Sequence, residues 1–354
     1  MTRYFTSTLR ALEPYVPGEQ LRRADLVKLN ANENPYPPAP GVVAAVAGAA
    51  EGLRLYSDLT QAKLVAALAT DLNVPENCIL CGNGSDENLL LALRAFCDGE
   101  NPLTFADITY SFYPVLCELL HIPSHIIPLE PNFTLDTAKF CNLNSNIVIA
   151  NPNAPTSLCS SVEAIEEVVR TNPDHVVIVD EAYIDFAPSG STAVPLTQKY
   201  DNVIVVRTFS KSRSLAGARL GYCVANPELI ADMNRVKFSY SPYNINSLTE
   251  AAGVAALEDA AYFTQCVEKI CATRADTTQK LQQRGYTVLP SATNFVFARP
   301  AVGEAAAICK ALRDEGVLIR HFTAPRICDW LRITIGTPEQ MERFFTVLDA
   351  VTEG

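Results

Sequence analysis

The stretch HVVIVDEAYIDF (residues 175–186), with NVIVVRTFS (202–210) and ARLGYCVA (218–225) after it, decides the fold. The apolar core of each run is continuous rather than alternating, the mark of a strand buried on both faces. Similar short runs stand upstream in CILCG (78–82), NPLTF (101–105) and SNIVIAN (145–151). Each of these leads into a helical stretch: DENLLLALRAFC (86–97), SFYPVLCELL (111–120) and SVEAIEEVVR (161–170). Strands alternating with helices predict an α/β fold with a mostly parallel sheet covered on both faces. A long helical region, 246–285, leads out of it to TNFVFARP (293–300), GVLIRHF (316–322) and WLRITIGT (330–337). These shorter strands between helices predict a smaller α+β unit. The expected division is a large domain over 45–250 and a small domain made of 1–44 and 251–354. The first forty residues, with the Pro-rich LNANENPYPPAP (29–40), form an irregular arm.

A chain of 354 residues favours two domains over one, and its 48% apolar content is enough for a sizeable core. With 28 basic and 39 acidic residues the net charge is −11, which argues against a nucleic-acid partner. No segment approaches the roughly 18 apolar residues of a membrane span, and no secretory leader is evident. A cytoplasmic protein without membrane partners is expected. The 11 cysteines, an odd number scattered through apolar runs, fit reduced thiols acting as small hydrophobes. Cys78 and Cys81 form a C-x-x-C, but no second ligand pair lies near them, and the four histidines do not cluster. No metal site is expected.

Three segments carry chemistry. In VVRTFSKSRSLAGARLGY (205–222), Lys211 follows an apolar strand and precedes small residues and glycines. A buried lysine amine is a natural partner for an aldehyde, because desolvation frees its nucleophilic form. Thr208, Ser210 and Arg219 surround it with two hydroxyls and a forked cation, which suits a phosphate. Alone, this segment also reads as a solvated basic loop. In GNGSDENLL (82–90), Gly84, Ser85 and Asp86 open a helix where free backbone N–H groups can hold an anion, or simply form a turn and N-cap. In HVVIVDEAYIDF, Asp180 ends a strand at the edge where ligands commonly bind. A carboxylate there can hold a pyridinium proton, and Tyr183 can donate to a neighbouring ring oxygen. Asp180 as a plain helix cap is the alternative.

These segments in this order resemble the fold-type I pyridoxal-phosphate aminotransferases over nearly the whole chain. The resemblance is carried by GNGSDE, ITYSFY (108–113), NPNAPTS (151–157), VDEAY (179–183) and TFSKSRSLAGARLGY (208–222). PYVPG (14–18), KLNANENPYPP (28–38), LYSD (55–58) and SPYNIN (241–246) resemble, more narrowly, the histidinol-phosphate aminotransferases. The resemblance implies a seven-stranded sheet, pyridoxal 5′-phosphate as cofactor, and a homodimer with shared active sites. Its substrates would be a small amino donor and a 2-oxo acid. Lys211, Asp180 and Tyr183 would be catalytic, with Lys211 joined covalently to the cofactor. Gly84, Ser85, Asp86, Thr208, Ser210 and Arg219 would surround the phosphate, with Tyr56 reaching it from a neighbouring subunit. Tyr110 would stack on the ring, and Asn153 would face its 3-oxygen beside Tyr183. Arg332 would bind the substrate's anionic group, with Tyr15, Asn34, Tyr243 and Arg320 completing the pocket. Ala154 and Ser157 depart from the usual N-P-N-N-P-T-G pattern, which leaves the Asn153 contact open. A transaminase for aromatic or other amino acids, a threonine-phosphate decarboxylase and a cofactor-binding transcriptional regulator are the alternatives.

Overall fold

A computed structural model describes residues 2–353 apart from 11, 17, 22 and 24. Its largest sheet contains seven strands: β1 (Ile79–Gly82), β2 (Leu103–Ala106), β3 (Ser124–Ile127), β4 (Asn146–Ala150), β5 (Val177–Asp180), β6 (Val203–Thr208) and β7 (Gly221–Ala225). They lie in the order β1-β7-β6-β5-β4-β2-β3. Six run in one direction, and β7 alone is reversed, pairing antiparallel with both β1 and β6. The mostly parallel sheet expected from the apolar runs is present. Every residue of β1, β2, β5 and β7 is buried, so both faces of these strands are covered. The exception is the edge strand β3, whose Ser124, His125 and Ile126 are exposed.

Two apolar clusters explain the two faces. Leu80, Ile178, Ile204 and Cys223 pack with Leu89, Leu93, Leu116 and Met233 of helices Ser85–Phe96, Phe112–Leu120 and Pro227–Tyr240. Ile79, Ile147, Val177, Val205 and Val224 pack on the other side with Leu64, Leu68, Ile165 and Ala252. Side chains of successive strand residues alternate between the two clusters, as the pleat requires. The helices start where the sequence supplies caps. Ser161 accepts from Ala164 N at 3.3 Å to open Val162–Thr171. Asn246 accepts from Thr249 N at 2.9 Å to open Ser247–Glu258.

A second sheet holds β8 (Thr287–Val288), β9 (Phe295–Arg299), β10 (Arg320–His321) and β11 (Leu331–Thr334), all antiparallel in the order β10-β11-β9-β8. Val296, Ala298, Leu331 and Ile333 form its core with Leu312, Phe344 and Leu348 of the helices that cover it. The segment Val27–Lys28 pairs in parallel with Val317–Leu318, and Thr334 N donates to Leu29 O at 3.0 Å. The NANEN segment is thereby tied to the second sheet while facing the C-terminal edge of the first.

The C-x-x-C pair lies within the apolar core. Cys78 and Cys81 are both buried, and burial pushes the Cys81 thiol up to about 12. Such a thiol is inert at neutral pH.

Candidate active site

The C-terminal ends of the parallel strands bring the chemistry-bearing segments to one edge. Gly82, Ala150, Asp180 and Thr208 are last residues of their strands. The loops that follow carry 84–86, 153, 183 and 210–219. Because β7 returns antiparallel beside β6, the loop between them stays at this edge and holds Lys211.

The anion cradle is built from close backbone approach. Gly84 has φ +79°, a conformation that favours glycine, just before helix Ser85–Phe96. A Cβ on Gly221 would lie 2.4 Å from Ser85 N and 2.5 Å from Gly84 C. Gly221→Ala must therefore displace backbone, and a loss of about 1–3 kcal/mol is expected, read as a lowered Tm. Beside the cradle, Thr208 Oγ1 lies 2.9 Å from Ser210 Oγ, and Arg219 Nη1 lies 3.5 Å from Ser210 Oγ. Arg219 Nη2 donates to Asp86 Oδ2 at 2.9 Å. Asp86 Oδ1 accepts from the Tyr110 hydroxyl at 3.0 Å. Two hydroxyls, a forked cation and a helix start thus converge, a donor set that fits a phosphate.

Lys211 and Asp180 have opposite shifts. Burial, assisted by the Arg332 charge, pulls the Lys211 amine down to about 8. The amine donates to Ala31 O at 3.3 Å and no carboxylate pairs with it among the described residues. Asp180 is 4% exposed. Burial pushes its carboxyl up to about 6, against the opposing effects of its hydrogen bonds. Its Oδ2 accepts from the Tyr113 hydroxyl at 2.8 Å, and its Oδ1 from Ala182 N at 3.2 Å. A cation placed against Asp180 would keep it ionised.

Of the expected site residues, the structure links several through direct contacts. Tyr110 stands edge-on to Tyr15, with centroids 6.1 Å apart. Tyr183 accepts from Asn32 Nδ2 at 2.9 Å and packs edge-on to Phe295 at 5.2 Å. Arg332 Nη2 donates to Asn30 O at 2.9 Å, while its Nε is buried with no partner among the described residues. A guanidinium in that state fits an incoming anion. Arg320 Nη2 donates to Val16 O at 3.2 Å, which fastens the arm next to Tyr15.

Three further expected residues have the following surroundings within the chain. Asn34 Nδ2 donates to Ser212 O at 3.0 Å, bracing the peptide that follows Lys211. Both Asn153 side-chain hydrogens are engaged, with Ile108 O and Thr156 Oγ1 at 2.9 Å each. Tyr56, 82% exposed, stacks on the exposed Tyr243 at 4.4 Å. Sequence reasoning passed over Tyr113 and Asn32. Tyr113 was visible as the last residue of ITYSFY, one helical turn beyond Tyr110, and Asn32 as the central asparagine of NANEN.

Comparisons with known proteins bear on the fold and the family. The family model for aminotransferase class I and II matches residues 24–348. Histidinol-phosphate aminotransferase 2 of Dechloromonas aromatica is 45% identical over 357 residues, covering 99% of this chain and 100% of the relative. Histidinol-phosphate aminotransferase 1 of Bradyrhizobium diazoefficiens is 46% identical over 348 residues, covering 98% and 99%. Among solved structures, histidinol-phosphate aminotransferase from Sinorhizobium meliloti in complex with pyridoxal-5′-phosphate superposes with a TM-score of 0.90 at 27% identity. That superposition covers 99% of this chain and 98% of the other.

Proposed function

This chain belongs to the class I and II aminotransferase family, and from that premise we propose that it moves the amino group of L-histidinol phosphate to 2-oxoglutarate. The products are imidazole-acetol phosphate and L-glutamate, a step of histidine biosynthesis. Pyridoxal 5′-phosphate is the cofactor. The observation that carries the reading is the convergence, at one sheet edge, of a depressed lysine, a buried carboxylate and an anion cradle. When bound, the cofactor supplies an aldehyde and a ring that spreads negative charge away from the substrate's α-carbon.

The chain's own residues do the rest. Lys211 Nζ, neutral above about pH 8, would hold the cofactor through its aldehyde and would carry the proton of the substrate's α-carbon. Asp180 would hold a proton at the ring nitrogen, its carboxylate oriented by the Tyr113 hydroxyl. Gly84, Ser85, Thr208, Ser210 and Arg219 bind the phosphate, with Asp86 steering Arg219. Tyr110 would pack on the ring and Tyr183 would donate to the ring oxygen, the Asn153 side-chain hydrogens being engaged with Ile108 O and Thr156 Oγ1. Arg332 takes the substrate phosphate in one half-reaction and a carboxylate in the other, flanked by Arg320, Tyr15 and Asn34. Arg332→Gln should raise KM for histidinol phosphate about a hundredfold, because it removes the partner of a desolvated anion. Steady-state kinetics read this, and a KM within a factor of about three of wild type would remove Arg332 from the pocket.

The working unit in this reading is a cytoplasmic homodimer. Tyr56 and Tyr243 stack on each other while exposed, and Leu53, Leu55, Phe238 and Tyr240, close to them in sequence, are exposed too, apolar side chains that a partner surface could cover. Covering this face by a second copy would let Tyr56 reach that copy's phosphate cradle. The assignment of substrate is tested by titrating the cofactor spectrum with L-histidinol phosphate, phenylalanine and threonine phosphate. Saturation at the lowest concentration is expected with histidinol phosphate. A preference for either of the others would replace it.

A further inference from the structure

Asn32 is 1% exposed and has a left-handed backbone, φ 56°. Its side-chain nitrogen donates to the Tyr183 hydroxyl at 2.9 Å. Its side-chain oxygen accepts from Thr334 Oγ1 at 3.0 Å, and its backbone N–H donates to that same Oγ1 at 3.0 Å. Asn294 Nδ2 holds its carbonyl at 2.9 Å. The direction of the Asn32 amide follows from this arrangement. Thr334 Oγ1 already accepts from the Asn32 backbone, so its own hydrogen needs an acceptor. Among the described residues the Asn32 side-chain oxygen is the acceptor it has, and the nitrogen is left facing Tyr183.

The consequence falls on Tyr183. A hydroxyl whose oxygen already carries a donor must direct its own hydrogen elsewhere. Among the described residues no protein acceptor takes that hydrogen. The edge-on packing against Phe295 at 5.2 Å keeps the ring from swinging away. We propose that Asn32 is a positioning residue: it makes the Tyr183 hydroxyl an obligate donor to the cofactor's ring oxygen, and Thr334 fixes the amide that does so. The inference rests on the pyridoxal-phosphate reading above. It also gives the second sheet a part in the chemistry, because Thr334 ends β11 while Tyr183 follows β5.

A hydrogen bond to the ring oxygen stabilises negative charge there, so the bound cofactor releases its proton at lower pH. The test is a pH titration of the visible absorbance of the holoenzyme. Asn32→Asp puts an acceptor opposite Tyr183 and draws its hydrogen away; Tyr183→Phe removes the hydrogen altogether. Each should raise the midpoint by about one pH unit, a tenfold change in proton affinity. The double variant should rise no further than Tyr183→Phe alone. Thr334→Val should shift the midpoint in the same direction and Thr334→Ser should restore it. The affinity of the Asn32→Asp apoenzyme for pyridoxal phosphate should fall severalfold in parallel.

An unchanged midpoint in Asn32→Asp would overturn the proposal. So would a shift that adds in full to that of Tyr183→Phe, since the new charge would then act without the hydroxyl. Should Asn32→Asp fail to fold, the Thr334 pair decides, and an unchanged midpoint in Thr334→Val overturns the proposal. A titration that survives in Lys211→Ala overturns the cofactor reading itself, which separates the two failures.

Discussion

Lys211→Ala should lower amino transfer roughly ten-thousand-fold, because one side chain supplies both the covalent attachment and the proton transfer. The variant should still fold. Lys211 contributes one hydrogen bond, to Ala31 O at 3.3 Å, and anchors no ion pair among the described residues. Cofactor should still collect at the cradle, since Arg219, Ser210 and Thr208 do not depend on the amine. It should be lost on gel filtration, where the wild type keeps it. The same residue predicts a pH dependence with a definite sign. An amine must be neutral to attack an aldehyde, and burial brings this one down to about 8. The rate at which apoenzyme captures pyridoxal phosphate should rise about tenfold per pH unit below 8 and level off above it. Stopped-flow absorbance reads the profile. A rise continuing to pH 10, as for an ordinary lysine, would show that the amine is not desolvated.

The second large effect concerns Asp180. Asp180→Asn keeps the shape and both hydrogen-bond neighbours but removes the charge that holds a ring proton. A fall in kcat of about 10²–10³-fold is expected, in the range found when one well-placed electrostatic partner is removed. KM should move little, because the substrate's anion is held at Arg332 instead. Burial, set against its hydrogen bonds, raises this carboxyl to about 6, so in the apoenzyme it takes up a proton near neutrality. A pyridinium nitrogen against it reverses that tendency, as an opposite charge favours the ionised form. The apoenzyme should therefore show a carboxyl titration near pH 6 that disappears on cofactor binding. Isotope-edited infrared spectra of wild type against Asp180→Asn would detect it. Unchanged kcat in the variant would remove Asp180 from the chemistry.

Much of this arrangement was legible in the sequence because it is local. Continuous apolar runs such as VVIVD and VIVV report strands covered on both faces, and the glycine-rich turn before SDENLL reports a helix start at a strand end. Lys211, Asp180 and Arg219 each sit within a few residues of such a signal. The reversal of β7 was less visible, since a strand's composition does not encode its direction. A clue was present all the same: FSKSRSLAGARL, between β6 and β7, contains no helix long enough for a parallel crossover. What could not be read were the partners that meet across long separations. Tyr113 and Asp180 are 67 residues apart, Asn32 and Tyr183 are 151, and no periodicity joins them. The engagement of Asn153 is of another kind. It depends on turn geometry that brings Thr156 Oγ1 and Ile108 O to one amide, below the resolution of a motif.

The central claim is that the cofactor is joined to one particular amine. Borohydride reduction of the holoenzyme, followed by proteolysis and mass mapping, tests it directly. The added pyridoxyl phosphate mass should fall on the peptide containing Lys211 and on no other. Label on the buried Lys237 or on the Glu33-paired Lys28, with Lys211 unmodified, would contradict the account.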